Sequence, residues 1–413
     1  MLLFLSAFFL VYGSLHWLFY RRLRAAWGPG SWRWPLVLTL VVLTLAPALV
    51  RLLERQELEG AARAMAYVGF YWMGFIFLFT VAALLLSLPA WLLRYRRLRS
   101  RSQLSLPTDE PAPLGIPGFV EALLTPSGIF KLALLFSLAA SGYGYFEARD
   151  IRVEEVRLAA PELAGFAPAL AEDDTGTASS PWPSDRPLRI VKITDVHLGL
   201  LIREERLAPM LAAVAAARPD ILVATGDIVD GQGDGIAHLA EKFRRLEVPL
   251  GKFAILGNHE FYIGAAESRE FLEAAGFTVL RGESVAIGDR LRIAGVDDRT
   301  GIALGQTPPE QEAQLLAELP ADTYNILLKH QPVVVSGGHV DLQLSGHIHQ
   351  GQLVPFNFFT RLAYRVPSGL SRAEDGRYLY VGRGTGTWGP PVRFLAPPEV
   401  TLIKLYASDQ SAP

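Results

Sequence analysis

The first 150 residues alternate long apolar runs with short charged stretches. Leu2–Tyr20 holds 19 uncharged residues, Trp34–Val50 holds 17 and Ala64–Leu93 holds 30. A helix needs about 20 apolar residues to cross the hydrocarbon core of a bilayer, so each run predicts a spanning helix. Leu132–Phe146 predicts a fourth, 15 uncharged residues behind Lys131, whose aliphatic stem can snorkel. The expectation is a membrane region over 1–150, with helices near 2–20, 34–53, 65–93 and 128–146. One such run alone reads as a buried core helix; three or four in succession read as membrane. Trp17, Tyr20, Trp32, Trp34, Trp91 and Tyr95 lie at the run ends, as aromatic residues do at the bilayer interface.

The pattern then changes. Ile151–Leu158 alternates polar and apolar residues, which predicts an edge strand. Ala171–Arg186, rich in Asp, Ser, Thr and Pro, reads as a linker, so 151–187 is taken as edge strand plus linker. From Leu188 onward, short apolar strands end in polar residues. LRIVKIT runs into Asp195, DILVAT into Gly226-Asp227 and GKFAIL into Gly257-Asn258-His259-Glu260. YNILL runs into Lys329-His330, and DLQLS into Gly346-His347-Ile348-His349. Helical stretches at Arg203–Ala217, Ala265–Ala275 and Pro309–Leu319 separate them. Such alternation predicts an α/β domain over 188–413, with ligands bound beyond the carboxyl ends of the strands.

Composition sharpens this division. Half of the 413 residues are hydrophobic and only 19% are charged, with a mean hydropathy of +0.25. Residues 1–150 carry net charge +6, and residues 151–413 carry −8. The acidic second part argues against a nucleic-acid partner. The first loop holds Arg21, Arg22, Arg24 and Arg33, and the third begins Arg94, Arg96, Arg97, Arg99 and Arg101. Positive loops stay cytoplasmic. With four spans the α/β domain is then extracytoplasmic, whereas three spans would leave it cytoplasmic. Without cysteine, disulfides, thiolate metal sites and cysteine nucleophiles are excluded. Any metal must be held by His, Asp, Glu or Asn.

The five strand endings hold five of the eight histidines. Each ending alone reads more readily as a surface turn, a satisfied histidine or, at Asn258, a helix cap than as a metal site. As a set they point to metal ligation. Asp195, His197, Asp227, Asn258, His330, His347 and His349 supply seven ligands, and a bridging Asp227 would give four contacts to each of two cations. Imidazole, carboxylate and amide donors suit Mn²⁺, Fe or Zn²⁺ better than a soft metal. Two cations roughly 3.5–4 Å apart suit in-line displacement at phosphorus.

The combination D-x-H, G-D-x-x-D, G-N-H-E, H and G-H-x-H resembles the calcineurin-like metallophosphoesterase superfamily over about 188–405. The tail Gly382–Glu399 is similar to its bacterial membrane-associated, YkuE/YaeI-like branch. The resemblance implies a four-layer α-β-β-α sandwich with a binuclear site at its edge. It implies one metal, most simply Mn²⁺, on Asp195, His197, Asp227 and His349, and another on Asp227, Asn258, His330 and His347. It matches His259 to the family's catalytic histidine. The stretch Gln350-Gly351-Gln352 departs from the family's usual Gly-Gly-Gln. In the mechanism this implies, a metal-bridging hydroxide attacks phosphorus and His259, paired with Asp230, protonates the leaving oxygen.

Four further features have plainer explanations. Glu260 reads as a helix-start acid, Arg383 as a surface salt bridge, and Asp297 and Asp298 as turn residues. Phe356, Phe358, Phe359, Leu362 and Tyr364 read first as a pair of core strands, or else as an apolar loop that meets the bilayer or acyl chains. The expectation is thus a phosphoesterase anchored in a bacterial inner membrane by several spans, acting on a mono- or diester such as a phospholipid or lipid-linked phosphate, with no protein partner implied. The alternative is a membrane sensor or transport module with a phosphoesterase-like regulatory head. Against it, no Asp, Glu, Lys or Arg lies within the three clear runs.

Overall fold

A computed structural model describes residues 2–103, 118–168, 186–230 and 235–407. They fall into two units, one of residues 1–145 with 390–392 and one of 146–389 with 393–413. Linker residues 171–185 lie outside the described residues.

The first unit is helical. It comprises α1 (Leu2–Trp27), α2 (Arg33–Arg55), α3 (Glu59–Gln103), the short α4 (Gly118–Leu123) and α5 (Pro126–Glu147). Each predicted run lies inside one helix, and the third helix extends well beyond its apolar stretch. Among the described residues, three segments are long and apolar enough to cross a membrane: α2, Glu59–Leu93 of α3, and α5. Its interior is aromatic, with Phe19, Phe79 and Phe130 in mutual contact at 4.8–5.7 Å between ring centres. Gly69 lets α3 approach α2 closely, since a β-carbon there would lie 2.4 Å from that of Ala46. His16, the one histidine in the apolar runs, is buried, and its Nε2 accepts from Trp72 Nε1 at 2.9 Å.

The second unit contains twelve described strands. They are β1 (Arg152–Ala159), β2 (Leu188–Ile193), β3 (Ile221–Thr225), β4 (Lys252–Ile255), β5 (Thr278–Val279), β6 (Glu283–Ile287), β7 (Leu291–Gly295), β8 (Tyr324–Leu328), β9 (Leu342–Ser345), β10 (Gly369–Arg372), β11 (Tyr378–Val381) and β12 (Glu399–Tyr406). One sheet has the order β1-β12-β2-β3-β4-β5, the other β10-β11-β9-β8-β7-β6. Both are mixed. β12 runs antiparallel to β2 and parallel to β1, while β2 to β5 are parallel. β11, β9, β8 and β7 are parallel, flanked by antiparallel β10 and β6.

The two-residue period of the strands builds the layers. Ile190, Ile221, Val223 and Ile255 point toward the second sheet and pack on Ile293, Ile326, Leu328 and Leu344. Val191, Leu222, Ala224 and Ala254 point the other way, against α6 (Glu204–Ala216), α7 (Ala240–Arg244) and α9 (Ala265–Ala274). The short α8 (Asn258–Ile263) precedes α9 directly. On the far side, Ala294 and Leu327 pack on Leu315 and Leu316 of α11 (Gln311–Glu318), which follows α10 (Arg299–Ala303). This is the α-β-β-α sandwich.

The run from Phe356 to Tyr364 corrects the expected pair of core strands. It is a helix, α12 (Asn357–Tyr364), with no buried residue. Its apolar residues at 358, 359 and 362 follow the helical spacing of three and four. Arg365, in the left-handed conformation at φ 57°, ends it.

Ile326 lies fully buried between the sheets. Ile326→Ala should cost about 2–5 kcal/mol through the cavity left behind, read as a lowered urea midpoint for the α/β unit.

Candidate metal centre

All seven predicted ligands converge at the carboxyl ends of β2, β3, β4, β8 and β9. Both sheets contribute because their parallel strands end on the same side. Ligand atoms of Asp195, His197 and His349 lie within 4.8 Å of one another, as do those of Asp227, His330 and His347. His197 Nε2 is 3.1 Å from His349 Nε2, which is 3.4 Å from Asp195 Oδ1. His330 Nε2 is 3.0 Å from Asp227 Oδ2, 3.1 Å from Asn258 Oδ1 and 3.2 Å from His347 Nδ1. Lone-pair atoms of several residues thus crowd one small volume, which suits cations held by nitrogen and oxygen donors.

The backbone bends sharply to achieve this. Asp195, His197, Asp227, His347 and His349 all have positive φ, between 48° and 71°. Non-glycine residues rarely adopt that conformation, and such strain gathers at functional sites. Two glycines leave the room required. A β-carbon on Gly226 would lie 2.7 Å from His330 Nδ1, and one on Gly257 would lie 2.3 Å from Asp227 Oδ1.

Neighbouring groups aim the ligands. His330 Nδ1 donates to the Thr225 carbonyl at 2.8 Å, which leaves Nε2 facing the donor cluster. Asp195 accepts from Thr194 Oγ1 at 2.7 Å and from the His347 backbone N–H at 3.0 Å. Asp227 accepts from the His259 N–H at 2.9 Å.

Glu260 stands at the start of α8, as expected, yet its carboxylate does more than cap. Fully buried, it accepts from the backbone N–H groups of Asp227, Ile228, Val229 and Gly257 at 2.7–3.1 Å. It therefore joins two of the ligand-bearing turns. The N-cap of α8 is Gly257 rather than Asn258, which frees the Asn258 amide to face His330.

The sequence also did not single out Arg393. It is fully buried and donates to the carbonyls of Gly386, Ala396 and Arg383 at 2.8–2.9 Å, with Nη2 3.2 Å from His349 Nδ1. Its only advance sign was an arginine in a glycine- and proline-rich segment. The other candidates are structural. Arg383 pairs with Glu154 and Glu399. Asp297 makes a bidentate pair with Arg281. Asp298 caps α10 through the Thr300 N–H at 2.8 Å.

Beside the cluster, His259 Nδ1 lies 2.9 Å from Asp230 Oδ1. Tyr262 and Trp388, 66% and 51% exposed, each stand 5.7 Å from the His259 ring. Burial disfavours charge on His259, but the Asp230 and Asp227 carboxylates outweigh it and push its pKa up to about 9. His330 rises to about 10, against burial, through Asp227. His347 falls to about 4 through burial and the charge of His330. Asp227 is held far below the carboxylate range: burial opposes this, and His330 and His259 override it. Protons on His330 and His259 thus balance buried carboxylates, and binding cations would displace protons from the ligand set.

The family model described as calcineurin-like phosphoesterase matches residues 188–351. A protein of Aquifex aeolicus described as an uncharacterized metallophosphoesterase is 37% identical over 275 residues, 66% of this chain and 98% of the relative. The Bacillus subtilis protein described as uncharacterized metallophosphoesterase YkuE is 34% identical over 234 residues, 54% of this chain and 80% of the relative. A Danio rerio protein described as a transmembrane protein with metallophosphoesterase domain is 29% identical over 231 residues, 53% of each chain.

Replacing Glu260 by Ala should strip four buried N–H groups of their acceptor, each worth about 1–3 kcal/mol when left unpaired. The expected result is a lower urea midpoint together with weaker Mn²⁺ binding in titration calorimetry, and Glu260→Gln should recover part of both.

Proposed function

Since the chain belongs to the calcineurin-like metallophosphoesterases, metal-dependent hydrolases of phosphate esters, we propose that it uses two divalent cations to cleave a phosphate mono- or diester. The convergence of seven nitrogen and oxygen donors at five strand ends carries this reading. Asp195, His197, Asp227 and His349 would hold one cation, and Asp227, Asn258, His330 and His347 the other, with Asp227 shared. Mn²⁺ is the first choice, with Fe or Zn²⁺ suited to the same donors. Bound there, such cations activate water and offset the charge of a phosphoryl group.

The protein's own groups supply the rest. Asp230 accepts from His259 Nδ1, which orients the ring and leaves Nε2 to carry a proton to the leaving oxygen. The same carboxylate keeps that proton on His259 near neutral pH. Tyr262 and Trp388 flank the ring edge-on and border the approach to it. With Asn258 Oδ1 on the cation, its amide N–H₂ would be left to donate to the phosphoryl group, while the Thr225 carbonyl orients His330.

The apolar helices support anchoring by several spans in a bacterial inner membrane. A cytoplasmic third loop, rich in arginine, followed by a crossing at α5 supports an extracytoplasmic α/β unit. In that setting the substrate is a phosphate ester within reach of the bilayer, such as a phospholipid or lipid-linked phosphate. The net charge of −8 over 151–413 disfavours nucleic acid.

Full-length protein in detergent with Mn²⁺ should release nitrophenol from bis-p-nitrophenyl phosphate or p-nitrophenyl phosphate, and EDTA should stop it. His259→Ala should lower kcat about 10²–10⁴-fold with metal content unchanged. No release despite two bound cations per chain would sink the proposal for these esters.

The pH profile tests the His259–Asp230 pair. A carboxylate favours the charged imidazole, so Asp230→Asn must lower the His259 pKa. The alkaline limb of kcat, which needs protonated His259, should then move roughly one pH unit or more toward lower pH. An unmoved limb would remove Asp230 from this role.

A further inference from the structure

Phe356, Phe358, Phe359 and Leu362, on α12 and the residue before it, are 46%, 64%, 55% and 69% exposed. Solvent contact costs roughly 25 cal/mol per Å² of apolar surface, and a clustered patch of this kind marks an interaction site. The patch is also basic. Residues 350–373 contain Arg361, Arg365 and Arg372, all exposed, and no Asp or Glu. The helix ends at the metal centre, where the Tyr364 ring lies 5.4 Å from that of His347. A cleft of about 310 Å³ continues the same character there, lined by Arg299, Val333, Val334, Tyr364, Arg365 and Val366.

We propose that α12 is an interfacial helix that seats the rim of the metal centre in an anionic lipid bilayer. Its phenylalanines and Leu362 enter the acyl boundary, and Arg361 and Arg365 meet lipid phosphates. An apolar face flanked by arginines and free of acids has the charge pattern of a membrane-surface helix. Each arginine near an anionic surface contributes favourably, over a range limited by salt. A second copy of the chain is a poor occupant, because a two-fold contact would bring the same arginines together. A bilayer is also close along the chain: only residues 148–151 separate β1 from α5, a helix able to cross a membrane. The docking goes beyond the catalytic reading and stands without it; where both hold, lipid phosphates are presented beside the cations.

The absence of cysteine makes the test clean. Ala363→Cys, which keeps all four large apolar residues, and Phe358→Cys each give one labelling site; exposed Asp322→Cys is the control. Full-length protein labelled with an environment-sensitive fluorophore is reconstituted into phosphatidylcholine vesicles, with and without phosphatidylglycerol, some carrying brominated acyl chains. Labels at 358 and 363 should shift to the blue and be quenched by bromine severalfold more than the label at 322. Phosphatidylglycerol should strengthen the effect, and salt or Arg361→Gln with Arg365→Gln should weaken it. Quenching equal to that at 322 in both lipids would overturn the proposal. So would a blue shift without bromine quenching, the mark of a protein partner or self-association. p-Nitrophenyl ester hydrolysis by the same samples separates the two ideas. Turnover without quenching removes only the docking, and quenching without turnover removes only the catalytic assignment.

Discussion

Buried negative charge governs the second unit. Asp195, Asp227 and Glu260 stand close together where water barely reaches, and Asp230 lies beside them, partly open to solvent. Carboxylates so placed repel one another and lose hydration, and only cations or hydrogen-bond donors make the arrangement tenable. Everything nearby answers that demand. Five histidines face the carboxylates, backbone N–H groups converge on Glu260, and five ligand positions accept left-handed backbone to bring their donors inward. The same demand suits a metal centre: divalent cations would take over the compensation that protons on His330 and His259 otherwise supply.

The layers behind the site are ordinary by comparison, and their ordinariness made them legible. Strand-length apolar runs ending in Asp, Asn and His are visible in sequence because residue type and position coincide there. Seven ligand candidates and His259 could be named from those endings, and each takes its place at a strand end. Glu260 and Arg393 were harder. Their work is done through backbone atoms distant in sequence, and backbone partners leave no mark on residue identity. The left-handed ligand residues were invisible for a related reason, since Asp and His tolerate that conformation without announcing it.

The segment after the last ligand was misread because an apolar run in an α/β domain usually belongs to the core. In α12 the apolar residues recur with helical spacing, and Arg361 among them and Arg365 at its end mark a surface. The helical unit shows the opposite economy. Its runs were plain from length alone, while its internal contacts, such as Gly69 against Ala46 or His16 with Trp72, depend on which helix faces which.

The position of β12 carries a consequence for how the protein is made. It is the last described strand, yet it lies between β1 and β2 and pairs with both. Until residues 399–406 emerge from the ribosome, the edges of β1 and β2 that it will join remain open, and Arg393 has only just appeared to brace His349. Open edges invite pairing with other chains, and the contacts that close them are among the most distant in the sequence. The nascent polypeptide thus carries its candidate ligands well before the strand that completes their sheet, and β1 and β2 are joined only once residues 399–406 are made.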